Sequence, residues 1–357
     1  MKTTSYQLPR YGTAPVAVEH EAAVPTGAEV LLEVEYAGVC HSDVYIMDGY
    51  QDLGDGEKID FSESDMPLPL TMGHEIVARV CAVGPEADVG LIGERRLIYP
   101  WIGCGTCTSC KAGLENHCET PASLGIFSQG GYARHVLVPD ERYLVAIGGL
   151  DPAWASTLAC SGLTVYSALR QIMPVKPGAT IAVIGAGGLG LMAVSMARAL
   201  GIDAVIACDI SEDRLATARD LGARAVVDTS RPDAVEALRE AAGGALYGVI
   251  DTVGLPATTT LALEAVMKGA RVVLVGLQGG RIALPLPSLP FKATALIGTY
   301  TGSLSELREV VDLACTGALR PMPVWERDMT CLCDSLDRLR QGSVLGRIVL
   351  KPDQKGV

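Results

Sequence analysis

The chain has 357 residues, of which 49% are hydrophobic, and it carries a formal net charge of −12. Because single cores usually stop growing at roughly 250–300 residues, this length predicts two domains. The acidic balance disfavours nucleic acids and anionic membranes as partners, since both select basic surfaces. No apolar run has the length of a signal peptide or a membrane helix, and a cytoplasmic protein is expected.

The first 150 residues are rich in short β-type patterns. Residues 30–36, 76–83 and 135–138 predict strands, separated by glycines and prolines. Residues 48–66 are acidic and have no period, which predicts a surface loop. Because this loop lies between Cys40 and His74, two candidate metal ligands, we expect it near the entrance of their site.

From about residue 151 the pattern alternates between helix and strand. A helix over 152–172 is followed by predicted strands at 180–184, 204–208, 225–227, 247–251 and 271–275. The intervening helices are predicted at 189–200, 212–221, 234–241 and 258–267. This βαβ alternation is typical of a doubly wound parallel sheet in an α/β protein.

After residue 298 the alternation ends. Helices are predicted at 304–315 and 333–341, and a strand at 347–350. This tail is too short for a separate domain, so we expect it to complete the N-terminal one. The predicted domains are therefore 1–152 together with 298–357, and a dinucleotide-binding domain over 153–297.

A glycine-rich turn follows the first strand of the alternating region. Gly185, Gly187, Gly188, Leu189 and Gly190 belong to a G-x-G-x-x-G string that directly follows an apolar strand and opens a helix. In this context the glycines allow a tight turn, a close approach of the backbone to a pyrophosphate, and close packing of helix on strand. The alternative is a glycine turn with a structural role alone.

The end of the next strand carries an acidic residue. Asp209 stands nineteen residues after Gly190. A carboxylate there accepts hydrogen bonds from a ribose diol and repels a 2′-phosphate, which favours NAD over NADP. Arg214 could reach the ribose or the adenine, or could simply be a solvated helix charge.

Four cysteines lie close together within residues 100–120, a segment named here the four-cysteine lobe. Cys104, Cys107, Cys110 and Cys118 have the spacing of a tetrahedral zinc site. Four thiolates leave no open position, so this site would be structural. The alternatives are a disulfide pair, free thiols, or a nucleic-acid-binding zinc ribbon; the acidic charge argues against the last.

A second candidate metal set is scattered along the chain. Cys40, His74 and Cys160 would supply three ligands and leave a fourth position open, as a catalytic zinc requires. Spacing cannot unite residues this far apart. Taken singly, each cysteine could be a buried apolar residue, and the histidine an ordinary packed side chain.

The order of these motifs resembles a known family. Cys40-His41-Ser42-Asp43, Gly73-His74-Glu75, the four-cysteine lobe, Cys160, the glycine turn and Gly346-Arg347 follow one another as in the zinc-containing medium-chain alcohol dehydrogenases. The resemblance covers essentially the whole length. It implies a Rossmann domain that binds NAD and a β-rich, GroES-like catalytic domain with a structural zinc lobe.

The resemblance also implies residue roles. Cys40, His74 and Cys160 would bind the catalytic zinc, Asp43 would orient His74, and Glu75 would lie behind the metal. Ser42 would accept the alcohol proton while hydride passes to the nicotinamide. The implied cofactor contacts are His41 and Arg347 at the pyrophosphate, Thr164 beside the nicotinamide, Val275 and Leu277 at its carboxamide, and Val253.

One position departs from the family pattern. Many relatives carry a histidine three residues after the proton-accepting serine or threonine, where this chain has Tyr45. A tyrosine has a high pKa and is a poor proton shuttle at neutral pH. We hypothesise that the proton leaves through Ser42, the nicotinamide ribose and His41.

The substrate is the least determined feature. Trp101, Tyr45 and Tyr50 are candidates for an apolar pocket, with ordinary packing as the alternative, and they favour a hydrophobic primary or secondary alcohol. A polyol, cyclic-alcohol or hydroxyacyl-thioester dehydrogenase of the same superfamily is the main alternative. A non-catalytic zinc- and nucleotide-binding protein is another. A homo-oligomer, tetramer or dimer, is expected through the edge of the nucleotide-domain sheet.

Overall fold

The structure, a computed structural model, describes residues 1–353. Within this range the strands are β1 (Lys2–Leu8), β2 (Val16–Glu21), β3 (Val30–Gly38), β4 (Tyr50–Gly54), β5 (Glu57–Asp60), β6 (Leu70–Thr71), β7 (Glu75–Val83), β8 (Arg95–Ile98), β9 (His135–Val138), β10 (Leu144–Ala146), β11 (Ile181–Ile184), β12 (Val205–Asp209), β13 (Ala225–Asp228), β14 (Leu246–Asp251), β15 (Val266–Leu274), β16 (Ala295–Gly298), β17 (Val324–Asp328) and β18 (Arg347–Lys351).

The α-helices, numbered in the same way, alternate with these strands from residue 152 onward. They are α1 (His41–Asp48), α2 (Thr108–Lys111), α3 (Pro152–Ser156), α4 (Ser161–Ile172), α5 (Gly188–Ala199), α6 (Glu212–Asp220), α7 (Ala234–Ala242), α8 (Pro256–Ala265), α9 (Ser288–Lys292), α10 (Leu304–Cys315) and α11 (Leu332–Arg340).

The alternating region forms a six-stranded parallel sheet. Its strand order is β13-β12-β11-β14-β15-β16. The chain therefore starts in the middle, runs to one edge, and returns to run to the other. The crevice at such a switch point, outside the carboxyl ends of the strands, is where ligands bind in doubly wound sheets. The predicted fold class is confirmed.

The N-terminal half forms a second, largely antiparallel sheet of seven strands. Strand β3 pairs along one side with β7 and along the other with β9 and then β18. The last strand of the described chain thus lies beside β3, as expected for a tail that returns. A smaller sheet has the order β2-β1-β6.

The predicted helix over 152–172 is interrupted. Helix α3 ends at Ser156, a 3₁₀ turn covers Thr157–Ala159, and α4 begins at Ser161. Cys160 lies between them with φ −123° and ψ −73°, outside the helical region. Hydrophobic periodicity continues through this point and hides the break, which turns the Cys160 side chain toward Cys40.

Two further predictions need correction. Residues 48–66 are not a loop without structure: β4 and β5 pair as an antiparallel hairpin, followed by a 3₁₀ turn at Phe61–Glu63. The predicted helix over 258–267 ends at Ala265, because Val266 already pairs with Leu246 in the parallel sheet. The remaining predicted elements begin and end within a few residues of those observed.

No helix within residues 1–353 is both long enough and apolar enough to cross a membrane. Residues 354–357, which close the last predicted domain segment, lie outside the described part of the chain.

Candidate active site and metal centres

Three distant parts of the chain bring the second candidate metal set together. Cys40 immediately precedes α1, His74 immediately precedes β7, and Cys160 immediately precedes α4. All three side chains are buried, and their ligand atoms lie within 4.8 Å of one another, together with a carboxylate oxygen of Glu75. The fold thus unites residues that spacing could not.

The geometry of this cluster fits a zinc ion. The sulfurs of Cys40 and Cys160 are 4.0 Å apart. Two sulfurs on a tetrahedral zinc, each bonded at about 2.3 Å, would be about 3.8 Å apart. His74 Nε2 is buried and has no hydrogen-bond partner. A buried, unpartnered imidazole nitrogen beside two sulfurs is what a metal ligand set requires before the metal binds.

The pKa values of the three candidate ligands are shifted in different directions. The hydrogen bond with Cys160 is the main reason that the pKa of Cys40 lies well below its ordinary value. Burial acts to lower the pKa of His74, but the facing Asp43 carboxylate outweighs burial and raises it. The pKa of the Cys160 thiol lies well above its ordinary value, mainly because of the hydrogen bond with Cys40. Zinc binding would require this thiol and the imidazole to be deprotonated.

Asp43 holds the cluster from behind. Its Oδ1 lies 3.4 Å from His74 Nδ1, and its Oδ2 accepts hydrogen bonds from the Cys40 backbone N–H at 2.9 Å and from the Tyr132 hydroxyl at 2.6 Å. The same carboxylate thus fixes two of the three candidate ligands. Sequence reasoning missed Tyr132, because nothing in its surroundings marks a tyrosine ninety residues from Asp43 as a partner.

Glu75 links this cluster to the cofactor side. One of its carboxylate oxygens forms an ion pair with Arg347, and the other is buried without a hydrogen bond. Burial raises the pKa of Glu75 to about 7, against the opposing charge of Arg347. The carboxylate lies beside the cluster, with one oxygen within 4.8 Å of the three candidate ligand atoms.

The four-cysteine lobe forms a compact site. The sulfurs of Cys104, Cys107, Cys110 and Cys118 all lie within 4.8 Å of one another. Three of the sulfurs accept backbone N–H groups, at 3.3 Å for Cys118 and 3.4 Å for Cys104 and Cys107. The Thr106 hydroxyl is the main cause that lowers the pKa of Cys104 to about 5. Four converging thiols with such donors fit a closed zinc site.

The glycine turn has the shape of a phosphate cradle. Gly185 has φ +88°, the left-handed conformation that favours glycine. A Cβ on Gly190 would collide with the Gly185 carbonyl, and one on Gly188 with the Arg347 side chain. A Cβ on Gly187 would meet no atom within 4 Å, so this position faces open space at the start of α5.

The acidic residue beyond the next strand faces this turn. The Asp209 carboxylate accepts the Ala186 N–H at 2.6 Å and the N–H groups of Ile210 and Ser211 at 2.8 and 3.0 Å. Arg214 Nη1 lies 3.9 Å from it, while Nη2 donates to the Gly342 carbonyl. Arg214 therefore belongs to the cleft wall and is not a free surface charge.

Most of the predicted cofactor contacts surround one cleft, and three others, Thr164, Val275 and Leu277, line the cavity described next. Its walls include His41, Gly185, Gly187, Gly188, Leu189, Asp209, Arg214, Val253 and Arg347. Burial is the main cause that lowers the pKa of His41, so its imidazole is neutral at pH 7. Leu277 is expected to contact the nicotinamide carboxamide. Its carbonyl, however, already accepts a hydrogen bond from Gln51 of the β4–β5 hairpin at 2.6 Å.

A second cavity, here called the alcohol cavity, adjoins the cleft at Cys40. Its lining includes Cys40, Ser42, Cys160, Thr164, Val275, Leu277, Trp101 and Tyr45. The lining also contains Ile126, Thr299, Tyr300 and Thr301, none of which lies in a motif that sequence reasoning could use. Tyr50 does not line it: this residue begins β4, is 42% exposed, and has the Lys58 amino group over its ring. The predicted pocket position of Tyr50 is therefore corrected.

Known proteins are similar to this chain over most of its length. Residues 26–148 match the alcohol dehydrogenase GroES-like domain, and residues 188–316 match the zinc-binding dehydrogenase family. An NAD-dependent alcohol dehydrogenase of Sulfolobus acidocaldarius is 39% identical over 90% of this chain and 92% of its own length. The chain belongs to the zinc-containing medium-chain alcohol dehydrogenase family.

Solved structures agree with this assignment. An alcohol dehydrogenase of Aeropyrum pernix superposes with a TM-score of 0.88 at 28% identity, over 98% of this chain and all of the other. Acetophenone reductase of Geotrichum candidum, solved in complex with NAD, superposes with a TM-score of 0.86 at 28% identity, over 100% of this chain and 98% of the other. The predicted family, enzyme class, and zinc and NAD cofactors are confirmed, whereas the alcohol itself is not identified by these relatives.

Tyr132→Phe tests the contact behind Asp43. Removing the hydroxyl leaves the Asp43 carboxylate with one donor fewer, and we expect zinc affinity at the Cys40 cluster to fall about tenfold. Competition with a chelator measures this affinity for each of the two metals. Tyr247→Phe, which loses a hydroxyl contact to the Pro174 carbonyl far from both clusters, is the matched control. Equal zinc retention in the two variants would contradict the assigned contact.

Tyr45 gives a prediction about pH. Burial, with the nearby Cys40, raises its pKa to about 12, so the phenol stays protonated throughout the range in which alcohol oxidation is measured. Tyr45→Phe should leave the pH–rate profile between about pH 6 and pH 9 unchanged. Tyr45→His adds a group that titrates near pH 6.5 and should change the profile there. A profile altered by Tyr45→Phe would show that the phenol carries protons.

Proposed function

We propose that this protein oxidises a hydrophobic primary or secondary alcohol with NAD, and reduces the corresponding aldehyde or ketone, at the cluster of Cys40, His74 and Cys160. The observation that carries the proposal is the position of Cys40, which lines both the dinucleotide cleft and the alcohol cavity. A metal held by Cys40 would therefore lie where cofactor and alcohol meet. A non-catalytic binding protein would have no need for this junction.

The residues of the cavity have separate tasks in this reaction. Bound zinc supplies a Lewis acid and bound NAD a hydride acceptor. Ser42, whose hydroxyl is 3.7 Å from the Cys40 sulfur, takes the alcohol proton. Thr164 and Val275 form the wall for the nicotinamide. The buried Trp101 keeps water away from the reacting atoms.

The cofactor preference rests on Asp209. Its carboxylate is already held by three backbone N–H groups, and in this position it would accept a ribose diol and repel a 2′-phosphate. NAD is therefore proposed over NADP. His41 and Arg347 are proposed at the pyrophosphate, since both line the cleft beside Gly188.

We propose the domain limits that the sequence predicts. We assign residues 1–152 and 298–357 to the catalytic domain and 153–297 to the NAD domain, on the basis of the two separate sheets and the return of β18 to β3. A reducing compartment such as the cytoplasm is part of the proposal, because the four-cysteine lobe needs thiolates and not disulfides.

The lining of the alcohol cavity favours an apolar substrate. Among residues 1–353 it receives no Asp, Glu, Lys or Arg side chain, and its largest members are Trp101, Tyr45 and Tyr300. A polyol would find no charged side chain there and one amide, that of Gln278, which disfavours the polyol alternative. The acetophenone reductase among the structural relatives makes aryl-substituted secondary alcohols a natural part of a test panel.

The proposal is tested by metal content and turnover together. We expect two zincs per chain and NADH formation with apolar alcohols, with NADP a poorer cofactor. Mild chelation should remove one zinc and abolish turnover, because an open three-ligand site exchanges metal more readily than a closed four-thiolate site. His74→Ala should have the same effect. A chain with one zinc, held by the lobe, and no turnover on any alcohol would refute the proposal.

An oligomeric form is the second part of the proposal. Strand β16 pairs with β15 on one side and forms one edge of the parallel sheet. The helix just before it, α9, exposes Phe291 at 77%, and nearby Leu286 is 76% exposed. Open edges and large apolar side chains together are commonly covered by another chain. We therefore propose that two copies join at this edge, as a dimer or within a tetramer.

Phe291→Asp tests this edge. A charge at the interface should lower the molar mass measured by light scattering at micromolar concentration, since an unpaired buried charge is costly. Val24→Asp, at a position 82% exposed in the other half of the chain, should leave the mass unchanged. A wild-type monomer under these conditions would reject the edge interface.

A further inference from the structure

The four-cysteine lobe lies against a wall of the alcohol cavity. Asn116 stands in the 3₁₀ turn Glu115–His117, two residues before Cys118. Its Nδ2 donates a hydrogen bond of 2.9 Å to the carbonyl of Tyr300, which follows the last strand of the NAD sheet. This contact joins residues 184 positions apart and connects the lobe to the segment that lines the cavity.

The segment after β16 is fixed at two points. The Tyr300 carbonyl accepts from Asn116, and the Gly302 carbonyl accepts from the buried Tyr99 hydroxyl at 2.9 Å. Between them Thr301 has φ +47°, a left-handed conformation that β-branched residues rarely adopt. Such a conformation persists where the surroundings hold it. The two carbonyl contacts are the restraints that do so here.

The Tyr300 ring meets Trp101 across the cavity wall. Their ring centroids are 5.9 Å apart in an edge-to-face arrangement. Trp101 is itself fixed, since its Nε1 donates to the Ala159 carbonyl at 3.0 Å and its ring lies 5.3 Å from that of His74. Tyr300 is half exposed, so its ring has no comparable anchor of its own.

The lobe is therefore connected to both aromatic walls. Trp101 precedes Cys104 by three residues along the chain, and Tyr300 is held by Asn116 near the end of the lobe. The lobe is in turn tied to the rest of the domain by Glu115, whose carboxylate accepts from the Tyr143 hydroxyl at 2.7 Å and, within the lobe, from the Gly103 N–H at 3.0 Å. Loss of the Asn116 contact would release Tyr300 from the lobe while Trp101 stays in it, and the distance between the two rings would change.

We propose that Asn116 is a positioning residue for substrate selectivity, which holds Tyr300 against Trp101 and thereby sets the width of the alcohol cavity. This inference rests on the proposed function. The lobe would then influence substrate selectivity as well as stability. A substitution at Asn116, which does not contact the reacting atoms, would alter which alcohols are accepted.

Asn116→Asp is the direct test, because it keeps the shape of the side chain and replaces the donor by an acceptor. The Tyr300 carbonyl then loses its partner, the ring moves away from Trp101, and the cavity widens. We expect the ratio of kcat/KM for cyclohexylmethanol to that for ethanol to rise about fivefold. Zinc content and the KM for NAD should stay as in the wild type. His117→Ala, on the same turn and exposed, is the control with an unchanged ratio.

The double variant separates positioning from a general loss of structure. Tyr300→Ala should raise the same ratio, and Asn116→Asp should add nothing further in that background, because the carbonyl contact acts through the ring. Equal losses for both alcohols in Asn116→Asp, or effects that add fully in the double variant, would overturn the inference while alcohol oxidation itself stands. A wild type without turnover on any alcohol would overturn the proposed function and this inference with it.

Discussion

The buried ion pair between Arg347 and Glu75 is the interaction on which the arrangement of both sites depends. Arg347 is 5% exposed and Glu75 fully buried, so either charge alone would be very unfavourable in this position. The pair brings the start of β18 to the start of β7, directly behind the Cys40 cluster. The Arg347 stem also packs on Gly188, where any Cβ would collide with it. One guanidinium thus connects the metal cluster, the glycine turn and the returning C-terminal strand.

Sequence reasoning located the parts with local signatures. The four-cysteine lobe and the glycine turn lie within short windows, and their chemistry depends on spacing that the chain itself fixes. The parallel sheet was predictable because its strands are buried on both faces and alternate with helices of ordinary length. The Cys40 cluster was different: its three members come from three separate element starts, and resemblance to a family was needed to unite them.

The structural features that the sequence did not predict were missed for similar physical reasons. The break at Cys160 is invisible in an apolar pattern that suits one continuous helix, and the β4–β5 hairpin is too polar and short to show a strand period. Tyr132, Asn116 and Tyr300 act through single contacts between distant segments, which no local propensity records. Tyr50 lies outside the pocket because α1 ends at Asp48 and the chain continues into the β4–β5 hairpin, where Tyr50 is 42% exposed.

The hydrogen bonds that hold the two sites share one feature: each joins two segments that are far apart in the chain. Asp43 receives Tyr132, Glu75 receives Arg347, and the Tyr300 carbonyl receives Asn116. The metal ligands themselves are therefore fixed by buried, charged partners, whereas the cavity wall at Tyr300 is held by one neutral amide. Neutral hydrogen bonds at a half-exposed wall contribute less to stability than charge-assisted hydrogen bonds in the interior. Selectivity for the alcohol should accordingly change more easily by substitution than metal binding does.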